Sequence, residues 1–223
     1  MVLHSDYTGI AKNEKLVDEI VTQVLVRGFY EIPHFLNGEL FEKLQSIAKD
    51  SIQTIANKKN EELKNTEGYQ VVLSEDIFSL CDAIHKKRCE ITNQKYTTLS
   101  REKQTIGFPY KDARNFKKTE ETEYHYDGAY VNLLIPILLP LEDTTKGNLI
   151  LFPNLRKKFS IKAFTSIFSE ILRWSKVART LFGFTEVQYT PGNLYVFFGD
   201  VSLHGVQPIT VGERLVLTIN SHW

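Results

Sequence analysis

In the run Tyr124-His125-Tyr126-Asp127-Gly128-Ala129-Tyr130, an imidazole and a carboxylate stand two residues apart. Side chains two apart on an extended strand share a face, so His125 and Asp127 are offered to a common point. Two protein ligands hold a metal weakly. A third is available at His204, within Phe197-Phe198-Gly199-Asp200-Val201-Ser202-Leu203-His204-Gly205-Val206. Two histidines and one carboxylate on one side of an ion leave its other positions open, and this is the ligand set of non-haem Fe(II). Alone, an H-x-D run also occurs by chance, as a hydrogen-bonded strand histidine beside a loop aspartate.

Arg214 adds to the pattern, in Gly212-Glu213-Arg214-Leu215-Val216-Leu217-Thr218-Ile219. The intervening Thr210-Val211-Gly212 suits a three-residue hairpin loop with Gly212 in the left-handed position. That register sets Pro208 opposite Arg214, on the face of His204 and about 13 Å along the strand from it. An arginine so placed can fork onto the far carboxylate of a molecule bound at the metal by its near end. A five-carbon 2-oxo diacid fits the span.

These residues give the chain a resemblance. The H-Y-D of 125–127, the H-G-V-x-P-I-T beginning at His204 and the G-E-R ending at Arg214 resemble the Fe(II)/2-oxoglutarate-dependent oxygenase superfamily, in its phytanoyl-CoA and prolyl hydroxylase-like branches. The match is good over the C-terminal half; the N-terminal half matches loosely, through Gly28-Phe29-Tyr30-Glu31-Ile32-Pro33-His34-Phe35-Leu36. Position 216 is valine where plant members carry serine. The resemblance implies Fe(II) on His125, Asp127 and His204, 2-oxoglutarate as cosubstrate with Arg214 on its distal carboxylate, and oxidation of a substrate C–H bond. Related halogenases have a small residue at the position of Asp127, so the carboxylate here implies hydroxylation or a similar oxidation. Asn132 and Tyr130, just past the metal strand, are candidates to contact the diacid or the substrate, with packing the commoner role of a strand tyrosine; Tyr110 and Arg114 are candidates to meet a substrate carboxylate, with surface exposure the commoner role. Two other readings stay open: a cupin-like metalloenzyme without 2-oxoglutarate, and a non-catalytic sensor whose barrel holds a small acid.

The whole chain sets wider bounds. Its 223 residues suit one well-buried domain. Lys plus Arg number 27 against 27 acids, which argues against a general nucleic-acid binder. The longest apolar run, Ala129 to Leu139, is too short to span a bilayer and contains Pro136. Met1 to Gly9 lacks an apolar signal core. Cys81 and Cys89 flank Lys86-Lys87-Arg88 without metal-ligand spacing, and read as idle thiols. The expectation is a cytoplasmic protein without membrane attachment.

The elements that must position the site follow from periodicity. Leu16, Val17, Ile20, Val21, Val24 and Leu25 predict a helix over 12–27 with Gly28 as its stop. Phe29 to Phe35 reads as an edge strand because of Pro33. A second helix starts at Glu39 and dissolves into the charged Lys58-Lys59-Asn60-Glu61-Glu62; Tyr69 to Leu73 reads as a short strand, and Ser74 caps a third helix bearing Ile77, Leu80, Cys81 and Ile84. From about residue 96 the pattern turns strand-like. Runs lie in Tyr96 to Phe108, Val131 to Leu139, Gly147 to Phe152, Val187 to Thr190, Asn193 to Phe198, Val206 to Thr210 and Leu215 to Asn220, with a loop at 109–122. Many short strands between turns predict a mainly β fold with flanking helices, its core a double-stranded β-helix, the jelly roll shared with cupins. The expected organisation is one domain over 1–223. Residues 1–95 form mainly helical support, and 96–223 form the jelly-roll core.

A helical insertion at about 155–183 interrupts the strands. Ile161, Phe164, Ile167, Phe168, Ile171, Leu172, Val177 and Leu181 follow a helical period, beside Arg156, Lys157, Lys158, Lys162, Arg173, Lys176 and Arg179. The segment reads as a solvated helix face, or as a lid or docking surface for an anionic partner such as a phosphorylated substrate, a coenzyme A ester or an acidic carrier protein.

Overall fold

The first helix, α1 (Glu14–Arg27), buries Val17, Ile20, Val21 and Val24 along one stripe. Asn13 caps it by accepting from the Leu16 N–H at 3.2 Å. Gly28, at a φ of 93°, ends it by donating to the Val24 carbonyl. The computed structural model describes residues 9–36, 38–39, 41–46, 75–113, 124–140, 147–155, 171–172 and 175–223. Within these, β1 (Phe29–Ile32) follows directly, residues 41–46 are helical, and α2 (Glu75–Thr92) buries Ile77, Leu80, Cys81, Ile84, His85, Arg88 and Cys89. The strands β2 (Ser100–Gly107), β3 (Tyr110–Asp112), β4 (Val131–Leu138) and β5 (Leu149–Phe152) come next. Then α3 (Lys176–Phe182) precedes β6 (Thr185–Val187), β7 (Leu194–Phe197), β8 (Leu203–Val206) and β9 (Glu213–His222).

Two antiparallel sheets result. The larger runs β1-β7-β4-β9-β2, with β3 also paired to β9; the smaller runs β6-β5-β8. This is the double-sheet core expected of a jelly roll. Alternation along the strands separates its two faces. Val131, Leu133, Ile135 and Ile137 of β4 and Leu215, Leu217 and Ile219 of β9 pack with α1 and α2 in one core. Leu134, Val216, Tyr195 and Phe197 instead meet Leu149 and Leu151 of the smaller sheet inside the barrel. A one-residue slip would turn the helix-side set inward, at about 1.5–3 kcal/mol for each large side chain uncovered. Packing against the helices therefore fixes which way Asn132 and Arg214 point.

Some sequence expectations need correction. The stretch 109–122, expected as a loop, begins with β3, which pairs Tyr110 to Leu215 and Asp112 to Glu213 and so covers the start of β9. The expected run Val206 to Thr210 lies earlier, as β8, and Val187 to Thr190 ends where it was expected to begin. The 204–214 hairpin does not form: β8 pairs with β5, whereas β9 pairs with β4, β2 and β3. Gly212 has the expected left-handed φ, 76°, but the segment crosses between sheets. Pro136, which lacks an N–H, is kept in central β4 by a register shift between Pro136 and Leu138.

The expected strand 69–73, the Ser74 cap, the charged run 58–62, Arg114, and the basic side chains at 156–158, 162, 173, 176 and 179 lie outside the described residues. No helix among the described residues is long and apolar enough to cross a membrane.

Candidate metal site and the buried arginine

Only one residue of the expected metal strand is paired as a strand. His125 forms an isolated antiparallel bridge with His204: its N–H donates to the His204 carbonyl at 2.9 Å, and its carbonyl accepts from the His204 N–H at 3.0 Å. Asp127 follows in irregular backbone, and its N–H donates to the Gly199 carbonyl at 3.0 Å. The result still brings the three side chains together. One ligand atom from each of His125, Asp127 and His204 lies within 4.8 Å of the others. His204 Nε2 stands 3.2 Å from Asp127 Oδ2, and His125 Nε2 stands 3.6 Å from Oδ1.

The protonation states suit a cation. His204 Nδ1 is 3.0 Å from the Ser202 carbonyl. A carbonyl can only accept, so Nδ1 is the donor there, and Nε2 is the nitrogen turned toward Asp127. Burial acts to raise the Asp127 pKa, but the His204 hydrogen bond, the charges of His204 and His125, and the Asn132 amide outweigh it and hold the carboxyl below its ordinary range. Asp127 is thus a carboxylate, the state a metal requires. His204 is buried, its ring edge-on to Phe197 with centroids 4.9 Å apart. The His125 side chain is 57% exposed and marks the open side of the cluster.

Asn132, expected to contact the diacid or substrate, is placed on the metal carboxylate. Its amide nitrogen donates to Asp127 Oδ2 at 2.6 Å and to Asn220 Oδ1 at 2.9 Å, while its oxygen accepts from the Gly199 N–H at 2.8 Å. Asp127, Gly199 and Asn132 therefore close a hydrogen-bonded ring. Gly199 is required by space: a Cβ there would lie 2.6 Å from Asn132 Oδ1 and 2.9 Å from Asp127 Oδ2. The ring was not predicted, although a glycine ahead of His204 and an asparagine on an apolar strand were its visible signs. Tyr130 sits on the helix side of the sheet, against His85 at 5.0 Å between ring centroids and receiving the Trp223 indole N–H on its hydroxyl. Tyr110 also packs on that side.

Arg214 shares the barrel interior with the triad by a route other than a hairpin. Leu151 pairs with His204 across the smaller sheet, and Gly147 is four residues along the chain from Leu151. A Cβ on Gly147 would stand 2.5 Å from Arg214 Cδ. Arg214 thus lies beyond the start of β5 from the His204 rung, and Leu149, Leu151, Tyr195, Phe197 and Val216 pack together as one cluster on the same interior face. Gly147 has a φ of 67°, so its bareness serves both the turn and the arginine's passage.

Arg214 is 2% exposed, and its Nε has no hydrogen-bond partner among the described residues. It lies over Tyr189, 5.3 Å from the ring centroid. Burial lowers the arginine's pKa, with Tyr189 countering, and pushes the Tyr189 phenol up to about 12. The Tyr189 hydroxyl makes no hydrogen bond among the described residues. Among the described residues no carboxylate forms a salt bridge with Arg214. A buried cation is costly unless an anion answers it.

No family model matches the chain, and no curated protein matches it in sequence. Solved structures do match. The chain resembles a prolyl 4-hydroxylase from Phytophthora capsici with a TM-score of 0.66 at 15% identity, over 100% of this chain and 67% of that one. It resembles SnoN, a non-haem alpha-ketoglutarate-dependent epimerase from nogalamycin biosynthesis, with 0.65 at 9% identity, over 94% and 82%. A prolyl hydroxylase from Trichoplax adhaerens, solved with a hypoxia inducible factor peptide, gives 0.59 at 16% identity, over 96% and 91%. SnoN has also been solved with Fe3+, alpha ketoglutarate and nogalamycin RO. The chain thus has the fold of Fe(II)/2-oxoglutarate oxygenases, and its His125-Asp127-His204 cluster could hold a metal.

Proposed function

We propose that this protein is an Fe(II)- and 2-oxoglutarate-dependent oxygenase that hydroxylates a C–H bond of a small-molecule substrate, free or held on a carrier or coenzyme A. The observation that carries the reading is the pairing of two features on one barrel interior: a two-histidine, one-carboxylate cluster and an uncompensated buried arginine. The donor set suits Fe(II), and the orphaned Arg214 Nε suits the distal carboxylate of a diacid. A cupin-like metalloenzyme without the cosubstrate leaves Arg214 without a purpose.

His125, Asp127 and His204 would hold the iron, and Arg214 the cosubstrate's far end. When bound, the two supply dioxygen chemistry that releases succinate and carbon dioxide and puts one oxygen atom into the substrate. The chain's own residues set the stage for it. Asn132 and the Gly199 backbone fix the direction of the Asp127 carboxylate, and Ser202 fixes the His204 tautomer. Leu149, Leu151, Phe197 and Val216 exclude water from the chamber. His125, on the open side, faces the approach of the substrate. We place the protein in the cytoplasm, where its free, buried Cys81 and Cys89 stay reduced.

Anaerobic titration of the Fe(II)-loaded protein with 2-oxoglutarate tests the reading. The expected result is a visible charge-transfer band that saturates with cosubstrate, and in air a slow release of succinate. Iron binding with neither band nor succinate would overturn the cosubstrate assignment.

A further inference from the structure

Arginine is almost never fully buried without a specific partner, yet Arg88 on α2 is 1% exposed. Its Nη1 donates to Asp200 Oδ1 at 2.8 Å and its Nη2 to Oδ2 at 2.7 Å, a two-pronged fork. Nη1 also donates to the Tyr130 carbonyl at 2.9 Å, and the guanidinium lies 4.4 Å from the centroid of the Phe198 ring. A buried pair of this kind returns roughly what its desolvation costs, so stability alone explains it poorly.

What the arginine grips is informative. Phe198 and Asp200 flank Gly199, whose N–H and carbonyl are both engaged in the ring that holds Asp127. Two residues further on, the Ser202 carbonyl fixes His204, and the Ser202 N–H closes the turn onto the Phe198 carbonyl at 3.0 Å. The turn 198–202 is therefore the common support of two of the three ligands. Gly199 approaches Asp127 so closely that a shift of the turn reaches the carboxylate directly.

We infer that Arg88 and Asp200 are positioning residues for the metal centre, a latch through which helix α2 sets the geometry of Asp127 and His204 from the opposite face of the sheet. The inference rests on the metal reading of the triad. Neither residue touches the ligand atoms; both act through the turn.

The test uses the full chain with Co(II), whose visible absorption reports ligand geometry without turnover. Removing one partner strands a buried charge, so the main variant is the pair Arg88→Met with Asp200→Asn. Arg88→Lys, which keeps the charge but loses the fork, is the second. We expect about a 10–100-fold loss of Co(II) affinity in the double variant, the range for partners that orient metal ligands. Its Co(II) spectrum should change, and Arg88→Lys should fall between it and wild type. Ile84→Val, a core change on the same helix, should lower the thermal midpoint of the metal-free protein without moving the spectrum. Wild-type affinity and spectrum in the folded double variant, or in Arg88→Lys should the double variant not fold, would overturn the latch alone. Wild type that binds no Co(II) would overturn the latch and the triad together.

Discussion

The two ends of the barrel interior are finished to different degrees. At the metal end nearly every polar atom is answered within the chain: Asp127 by Asn132 and Gly199, Asn132 by Asn220, His204 by Ser202. At the other end Arg214 is as deeply buried as His204, but it has an aromatic ring for company and, among the described residues, no anion. The carboxylate of Asp127 has two imidazoles and an amide beside it, so that cluster can be assembled in advance. A lone guanidinium cannot be neutralised from within without filling the chamber. The difference teaches that the His125-Asp127-His204 end is held in place by the protein itself, whereas the described residues leave Arg214 without an anionic partner.

The comparison breaks most easily at the ligands. Replacing Asp127 or His204 by alanine should abolish measurable Fe(II) binding in anaerobic calorimetry, since two ligands remain. Retention of wild-type iron content by both variants would remove the metal end from the comparison. Arg214→Ala comes next, with an expected loss of about 3–5 kcal/mol in 2-oxoglutarate binding, because the ligand's buried carboxylate would be left unpaired. Iron affinity should be unchanged in the same protein. Thermal melting of ligand-free Arg214→Met sharpens the point: the variant should be at least as stable as wild type, and a clear drop in midpoint would mean the arginine already has its partner.

Smaller effects should follow from the supports. Asn132→Ala should weaken Fe(II) binding by about 10–100-fold and leave the dissociation constant for 2-oxoglutarate, measured on iron-saturated protein, within a few-fold of wild type. Gly147→Ala should do the reverse. Its methyl would meet Arg214 Cδ and Ile209 Cγ2, at 2.5 and 2.9 Å. The arginine must give way, for about a tenfold loss of diacid affinity, roughly 1.4 kcal/mol, with iron binding intact. If both variants affected both ligands equally, the two ends would be one cooperative site.

How much of this could be read beforehand depended on whether a residue's chemistry alone revealed its use. His125, Asp127, His204 and Arg214 stood out because few structural roles call for those types in that order, and the first three do come together. The hairpin drawn between the last two was not, because Gly212 adopts a positive φ equally well in a hairpin and in a crossover between sheets. Local turn chemistry carries no information about distant strand partners. Asn132 was expected to contact the diacid or the substrate; the partner it has here, Asp127, is five residues away, round an irregular turn that no period predicts. Arg88 was hidden in the basic run Lys86-Lys87-Arg88, although it continues the stripe of Ile77, Cys81 and Ile84 down the buried face of α2. A cation on an apolar stripe was the signal, and the neighbouring lysines masked it.

The crossover after β8 has one more consequence. Because His204 hangs from the smaller sheet and Arg214 from the larger, a molecule gripped at both would act as a cross-brace between two walls otherwise joined mainly by side-chain packing. Such a brace is judged by its length as much as by its charge. A diacid one carbon shorter would leave one anchor unreached, and one carbon longer would have to buckle or push the walls apart. The barrel would then serve as a caliper for carbon chains, set by the spacing of its own sheets.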